Sequence, residues 1–108
     1  MKNSYALVLV SAPKEAAEKI ARRVLKERVA ACVNILSGAQ SLYWWKGKIA
    51  NSEEALLLMK TRMKLLPLLE SVVKAVHPYD VSEIVALPIT RGDSAYLNWI
   101  SKETRAKS

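Results

Sequence analysis

Three side chains in this sequence are of the types that bind transition metals. They are Cys32, His77 and Glu83, which offer a thiolate, an imidazole and a carboxylate. The chain has one Cys and one His, and it contains no HxxxH, CxxC or His-rich segment. A closed four-ligand site within one subunit would therefore need further carboxylates or water. We take these three residues as the predicted metal-binding set.

The same residues also have structural explanations. A Cys on a strand can pack as a small hydrophobic side chain, and His77 sits where a protonated imidazole favours the C-terminal dipole of a helix. A further group is predicted to line a cleft between subunits, or else to supply caps and salt bridges around a turn: Lys60, Tyr79, Asp80 and Glu83. We predict no enzymatic activity. The sequence has no Gly-rich phosphate loop, no pair of acidic residues at a spacing that indicates acid–base catalysis, and no nucleophile motif with an evident base.

The composition predicts one folded domain covering residues 1–108. Hydrophobic residues make up 51% of the chain and charged residues 25%, a mixture that forms a core and differs from disordered sequences. The single Cys suits a reducing compartment, so we expect a cytoplasmic protein. No signal-like segment and no apolar run of about 18 residues is present, and we therefore expect no membrane insertion.

The formal net charge of +7 raises the possibility of a nucleic-acid partner. In the most basic stretch, Lys14–Arg28, the basic residues alternate with Glu15, Glu18 and Glu27. Such mixing is typical of a solvated helix face. A basic nucleic-acid-binding module is therefore kept only as a rival hypothesis.

The hydrophobic pattern predicts two strands and a helix in the first half of the chain. Tyr5–Val10 is a short apolar strand, and Ser11 is the predicted cap of a helix running to about Arg28. From Ala30 to Ile49 the residue types fit one long strand with a bulge or bend at Gly38.

The second half of the chain is predicted to have the same order of elements, which is strand, helix and strand. Gly47 and the Asn51-Ser52 pair are the predicted turn residues before an apolar strand, Glu54–Thr61. A helix then starts near Pro67 and stops at His77-Pro78, and a fourth strand and a short helix capped by Gly92-Asp93 follow. Pro88 places the fourth strand, Glu83–Ile89, at a sheet edge or a bulge. The order β-α-β-β-α-β plus a C-terminal helix predicts an α+β, ferredoxin-like split β-α-β fold with an antiparallel sheet.

The length of the second strand predicts an oligomer. At about 3.3 Å per residue, Ala30–Ile49 would extend for roughly 60 Å, well beyond the sheet of its own domain. The overhang carries Tyr43, Trp44 and Trp45, and adjacent residues on a strand cannot both enter one core. We predict that these three aromatic residues and Trp99 pack in a subunit interface.

Several segments, in this order, resemble the CutA family of divalent-cation tolerance proteins. They are Ser11-Ala12-Pro13, Ala30-Ala31-Cys32-Val33-Asn34, Ser41–Ile49, Lys60-Thr61, His77–Ile84, Leu87-Pro88-Ile89 and Tyr96–Trp99. The resemblance covers nearly the whole chain. It implies a ferredoxin-like subunit in a homotrimer similar to the PII-type signalling proteins, with the long hairpin joining the subunits.

The resemblance also implies a link to metal tolerance, with copper or another divalent cation as ligand and none required for folding. Family members credited with copper binding have a Cys at the position of Val10 and a second His at that of Val76, and Val offers no ligand atom. Of that set only His77 remains, so the implied copper binding is weak and at subunit boundaries. The alternative function is a PII-like sensor that binds a small molecule between subunits.

Overall fold

The computed structural model describes residues 4–106, which form one four-stranded sheet and three α-helices. The elements are β1 (Tyr5–Ala12), α1 (Lys14–Lys26), β2 (Cys32–Trp45), β3 (Lys48–Arg62), α2 (Leu66–Val76), β4 (Ile84–Ile89) and α3 (Ser94–Glu103), with one 3₁₀ turn (Met63–Leu65) before α2. No helix within these residues is long and apolar enough to cross a membrane.

The sheet has the order β2-β3-β1-β4, and every neighbouring pair is antiparallel. The predicted α+β, split β-α-β fold is confirmed. Pro88 lies on β4 at the edge of the sheet, where its missing backbone N–H interrupts no inner ladder. Pro67 falls in the first turn of α2, and the helix ends at Val76, immediately before His77-Pro78, as predicted.

One face of the sheet forms the hydrophobic core with α1 and α2. Alternate residues of β1 and β3 point to this face and are fully buried, as the period of two along a strand requires. The helices contribute the stripe that the sequence predicts at helical spacing. The central members of this core are Val8, Val10, Leu57, Met59, Ile20, Val24, Leu69 and Val73.

The opposite face of the sheet is also apolar, but it remains largely uncovered. Leu87 pairs with Leu7 across β4 and β1, and Val85 pairs with Leu9, so all four point to the same side. Leu87 is 44% exposed and Val85 is 47% exposed. We call this surface the open sheet face, and its further members are Leu36, Leu56 and Leu58.

In the long hairpin formed by β2 and β3, the predicted turn residue Gly47 is confirmed, and the predicted turn at Asn51-Ser52 is wrong. The turn is Lys46-Gly47, where both residues have positive φ, as a tight two-residue hairpin requires. The predicted second strand was therefore too long at its end, and Ile49 and the Asn51-Ser52 pair belong to β3. The predicted irregularity at Gly38 is confirmed, because the register shifts between Leu36 and Ala39.

The outer part of this hairpin extends past the end of β1. The last β1 residue, Ala12, pairs with Ala55, so residues 48–54 of β3 pair only with β2. Trp44 is 74% exposed, and Leu42 and Ile49 are exposed to a similar degree. An isolated two-stranded ribbon with such an exposed apolar surface is marginally stable on its own.

Candidate functional site

The structure does not bring Cys32 together with His77 and Glu83. Through the strand pairing, Cys32 of β2 aligns with Leu7 of β1. His77 and Glu83 both contact Ser11, which lies four residues further along β1, or roughly 13 Å at about 3.3 Å per residue. Within residues 4–106, no group of three His, Cys, Asp or Glu side chains is close enough to hold a metal ion. The predicted set does not fit a metal centre within one subunit.

Cys32 lies instead in a separate cluster at the other end of the sheet. The Lys60 ammonium is 3.8 Å from the Cys32 sulfur and also donates a hydrogen bond to Asn34 Oδ1. A cation beside the thiol opposes the approach of a metal ion. Burial, and then the neighbouring Cys32, raise the pKa of Tyr96, whose ring stacks on that of Trp99 at 5.6 Å.

His77 is buried, and both of its ring nitrogens are already in use. Nε2 lies 2.8 Å from the Ser11 carbonyl oxygen, and the backbone N–H of Tyr79 donates to Nδ1 over 3.1 Å. This pair of partners fixes the neutral tautomer with its proton on Nε2. A metal ion bound at either nitrogen would displace one of these hydrogen bonds, so His77 acts here as a clamp between β1 and the loop after α2.

Glu83 is also held by Ser11, whose hydroxyl donates to Glu83 Oε1 over 2.9 Å. Ser11 was predicted as the cap of α1, and this prediction is wrong. Ser11 is the seventh residue of β1, and Pro13 occupies the N-cap position without a side-chain hydrogen bond. The hydroxyl is free to bond elsewhere because β1 continues to Ala12 before the chain turns into the helix. Ser11 thus ties the start of β4 to the end of β1.

These contacts border a groove of about 920 Å³ between the outer hairpin and the loop of residues 77–83. This volume is within the range of small-molecule sites. Of the residues predicted to line a cleft, Tyr79, Asp80 and Glu83 belong to the groove, and Lys60 does not. The lining is Ser11, Gln40, Ser41, Leu42, Tyr43, Trp44, Trp45, Glu54, Pro78, Tyr79, Asp80, Val81 and Glu83.

Glu54 supplies the buried carboxylate of this groove. Glu54 is only 5% exposed, and its Oε2 accepts a hydrogen bond of 2.9 Å from the Tyr79 hydroxyl. Burial, followed by the hydrogen bond to Glu54 and the charge of Glu54, raises the pKa of Tyr79 to about 12. Tyr79 therefore stays protonated and donates across the whole physiological range of pH.

This arrangement predicts a late titration of Tyr79. A folded-state pKa above the unfolded value of about 10 means that the Tyr79 contribution to stability is complete below pH 10 and is lost as the pH rises through about 12. The difference in tyrosinate absorbance between the unsubstituted protein and Tyr79→Phe should have its midpoint near that value. In Glu54→Gln the midpoint should move towards 10. A midpoint near the ordinary tyrosine value of about 10 in the unsubstituted protein would contradict the contact between Tyr79 and Glu54.

Glu54 and Ser11 are members of the site that were not predicted from the sequence. The signal for Glu54 was present, because it is the only carboxylate that alternates with Leu56 and Leu58 along the same face of an apolar strand. Nothing local identifies Ser11, since a Ser two residues before a Pro is equally typical of a helix cap. The aromatic residues Tyr43, Trp44 and Trp45, predicted for an interface, also form one wall of the groove.

Comparisons with known proteins agree with this fold. The family model described as CutA1 divalent ion tolerance protein matches residues 6–103. The chain is similar to Protein CutA 1, chloroplastic, from Oryza sativa, with 48% identity over 100 residues, covering 92% of this chain and 56% of the rice protein. It is also similar to the divalent-cation tolerance protein CutA of Thermus thermophilus, with 48% identity over 91% of this chain and 96% of the relative.

The fold of the chain is also similar to that of a solved structure. The crystal structure of CutA1 from Oryza sativa has a TM-score of 0.94 and 46% sequence identity, with 96% of each chain covered. The present chain thus spans just over half the length of the rice sequence that it matches, and nearly all of the rice chain in the crystal. Because the family model matches residues 6–103 and the relatives are 48% identical over more than nine-tenths of this chain, the chain belongs to the CutA1 divalent ion tolerance family.

Proposed function

We propose that this protein works as a cytoplasmic homotrimer that binds a ligand and catalyses no reaction, with one domain, residues 1–108, in each subunit. The observation that carries this proposal is the open sheet face. A sheet with helices on one side only leaves a second apolar surface, and exposed apolar patches of this kind are typical of subunit interfaces. The single free Cys suits the reducing cytoplasm.

The outer hairpin supports the same assembly. Its exposed aromatic residues, Tyr43, Trp44 and Trp45, lie beyond the end of β1, where a neighbouring subunit can cover them. A closed ring of three subunits buries both the open sheet faces and the hairpins without leaving a free copy of either surface. Trp99, which is 40% exposed on α3, is the fourth predicted interface residue.

Membership of the family gives the cellular role that we propose, which is tolerance of divalent cations. The relative in Thermus thermophilus carries this role in its name. A tight copper site in one subunit is not part of the proposal, since Cys32 is remote from His77 and both nitrogens of His77 are engaged. Weak cation binding where subunits meet, at groove carboxylates such as Glu83, is compatible with these contacts.

A copper titration with His77→Ala separates a ligand role for His77 from a structural one. We expect weak copper binding that the substitution leaves unchanged within about twofold. We also expect a loss of unfolding free energy of about 1–3 kcal/mol, because the buried Ser11 carbonyl loses its partner. Calorimetry gives the first quantity and chemical denaturation the second. Tight binding that disappears in His77→Ala would show that His77 is a ligand after all.

A small-molecule sensor, similar to the PII proteins, is the second candidate function, and the groove beside the hairpin favours it. Its size and its mixed polar and aromatic lining are typical of ligand sites. Thermal-shift screening of metal salts against small organic molecules distinguishes the two functions, since a ligand that binds the folded state raises its apparent stability. Nucleic acid is not the proposed partner, because Arg22 and Arg23 of the basic helix α1 pair with glutamates on or beside it.

A further inference from the structure

The groove is acidic, although the chain as a whole is strongly basic. The formal net charge is +7, yet three carboxylates line the groove, those of Glu54, Asp80 and Glu83. Among the described residues that line it there is no Lys, Arg or His. A concave surface of one sign concentrates ions of the opposite sign. The groove therefore favours a cationic ligand.

Glu54 gives this groove a buried anchor for a positive charge. Its side chain is 5% exposed, and its one hydrogen bond among residues 4–106 comes from the neutral Tyr79 hydroxyl. None of the ion pairs between described residues includes Glu54. Burying a carboxylate is costly unless a cation compensates for it. A ligand that brings a cation to Glu54 would remove that cost.

The other wall of the groove indicates which kind of cation fits. Tyr43 and Trp45 line the groove from the hairpin face that also carries Glu54, and Tyr79 lines it from the loop. The faces of aromatic rings attract ammonium and guanidinium groups. A hard metal ion needs about six oxygen ligands around one point, whereas the carboxylates here do not converge, as the absence of any metal-holding group in residues 4–106 shows. Trp44 also borders the groove, although the strand pairing places it on the opposite face of the hairpin.

We propose that this groove binds a small organic cation that carries an ammonium or guanidinium group. The cationic group pairs with Glu54, and its carbon chain packs against the aromatic wall. Asp80 and Glu83, at the more exposed side, hold a second positive group when the ligand has one. This inference rests on the proposed function, because the neighbouring subunit of the trimer would cover the open side of the groove next to the hairpin.

The test is a calorimetric titration of the full chain with agmatine, which carries one ammonium and one guanidinium group. Butane-1,4-diol is the uncharged control ligand. We expect saturable binding of agmatine and none of the diol. Glu54→Gln should weaken agmatine binding about 30-fold or more, since it removes a buried charge pair but keeps an oxygen that accepts from Tyr79. Glu53→Gln makes the same change of charge on the adjacent, exposed residue. Its affinity for agmatine should stay within about twofold of that of the unsubstituted protein.

The mass in solution, measured on the same samples, separates this inference from the proposed trimer. A trimer that binds no agmatine, that binds the diol equally well, or that binds agmatine unchanged in Glu54→Gln would overturn the inference and leave the assembly intact. A trimer that dissociates in Glu54→Gln would also overturn it, because a cation of the partner subunit would then fill the groove. A monomer would overturn the proposed assembly. In that case the comparison of agmatine binding by Glu54→Gln and by Glu53→Gln would still test the inference.

Discussion

Leu87→Glu should convert the proposed trimer into monomers. Leu87 lies on the open sheet face and is 44% exposed in the single subunit, so the subunit can accommodate a glutamate there without disturbing its own core. In the trimer the same carboxylate would be buried against apolar side chains, and an unpaired buried charge costs several kcal/mol. Symmetry repeats this cost in every subunit. We expect the dissociation constant to rise more than about 100-fold.

Light scattering coupled to size exclusion measures this effect, and circular dichroism checks that the variant is folded. Ala75→Glu is the matched control, since Ala75 is an exposed apolar residue on α2, whose packed side meets the other face of the sheet. The control should keep the mass of the unsubstituted protein. If the Leu87→Glu protein has the same mass as the control, the open sheet face is not the interface.

Leu57→Ala should cause the second largest loss, in the stability of the subunit itself. Leu57 is fully buried on β3, between β1 and β2, and packs in the core beneath the helices. Removing its isobutyl group loses the transfer free energy of the buried atoms and leaves a cavity. We expect the unfolding free energy to fall by about 2–5 kcal/mol.

Denaturant unfolding at one fixed protein concentration measures this loss, because dissociation and unfolding of a trimer are linked. Leu25→Ala is the control, since Leu25 is 38% exposed on α1, and it should cost less than about 1 kcal/mol. A comparable loss in both variants would mean that the core on this side of the sheet is not packed as described.

The pattern of apolar residues was sufficient to predict the fold. The continuous apolar run of Tyr5–Val10 and the helical stripes of α1 and α2 are local signals of burial. Pro67, Pro78 and Asp93 mark the ends of helices in the same local way. Asp93 caps α3 through the backbone N–H of Tyr96. The fold could be predicted because each of these signals depends on residues close in the chain.

The hairpin turn and the groove could not be predicted in this way. Lys46-Gly47 and Asn51-Ser52 are both plausible turns, and only the pairing of Leu42 with Asn51 across the strands decides between them. The groove depends on contacts between residues far apart in the chain. Tyr79 meets Glu54 across 25 positions, and Glu83 meets Ser11 across 72.

The predicted metal set illustrates the same limit. Cys32, His77 and Glu83 were grouped by ligand type alone, and chemical type carries no information about distance. The register of β2 on β3 places Cys32 beside Lys60, whereas the clamp formed by His77 holds the opposite end of β1. The pairing of strands decides which side chains meet.

The mass of the unsubstituted protein in solution tests the central claim most directly. Sedimentation velocity over a dilution series into the low micromolar range, with a metal chelator present, measures it without interference from bound ions. We predict a single species of three times the 12.0 kDa mass of one chain at every concentration. A stable species with the mass of one chain would contradict the account, because the open sheet face and the outer hairpin would then be exposed to water.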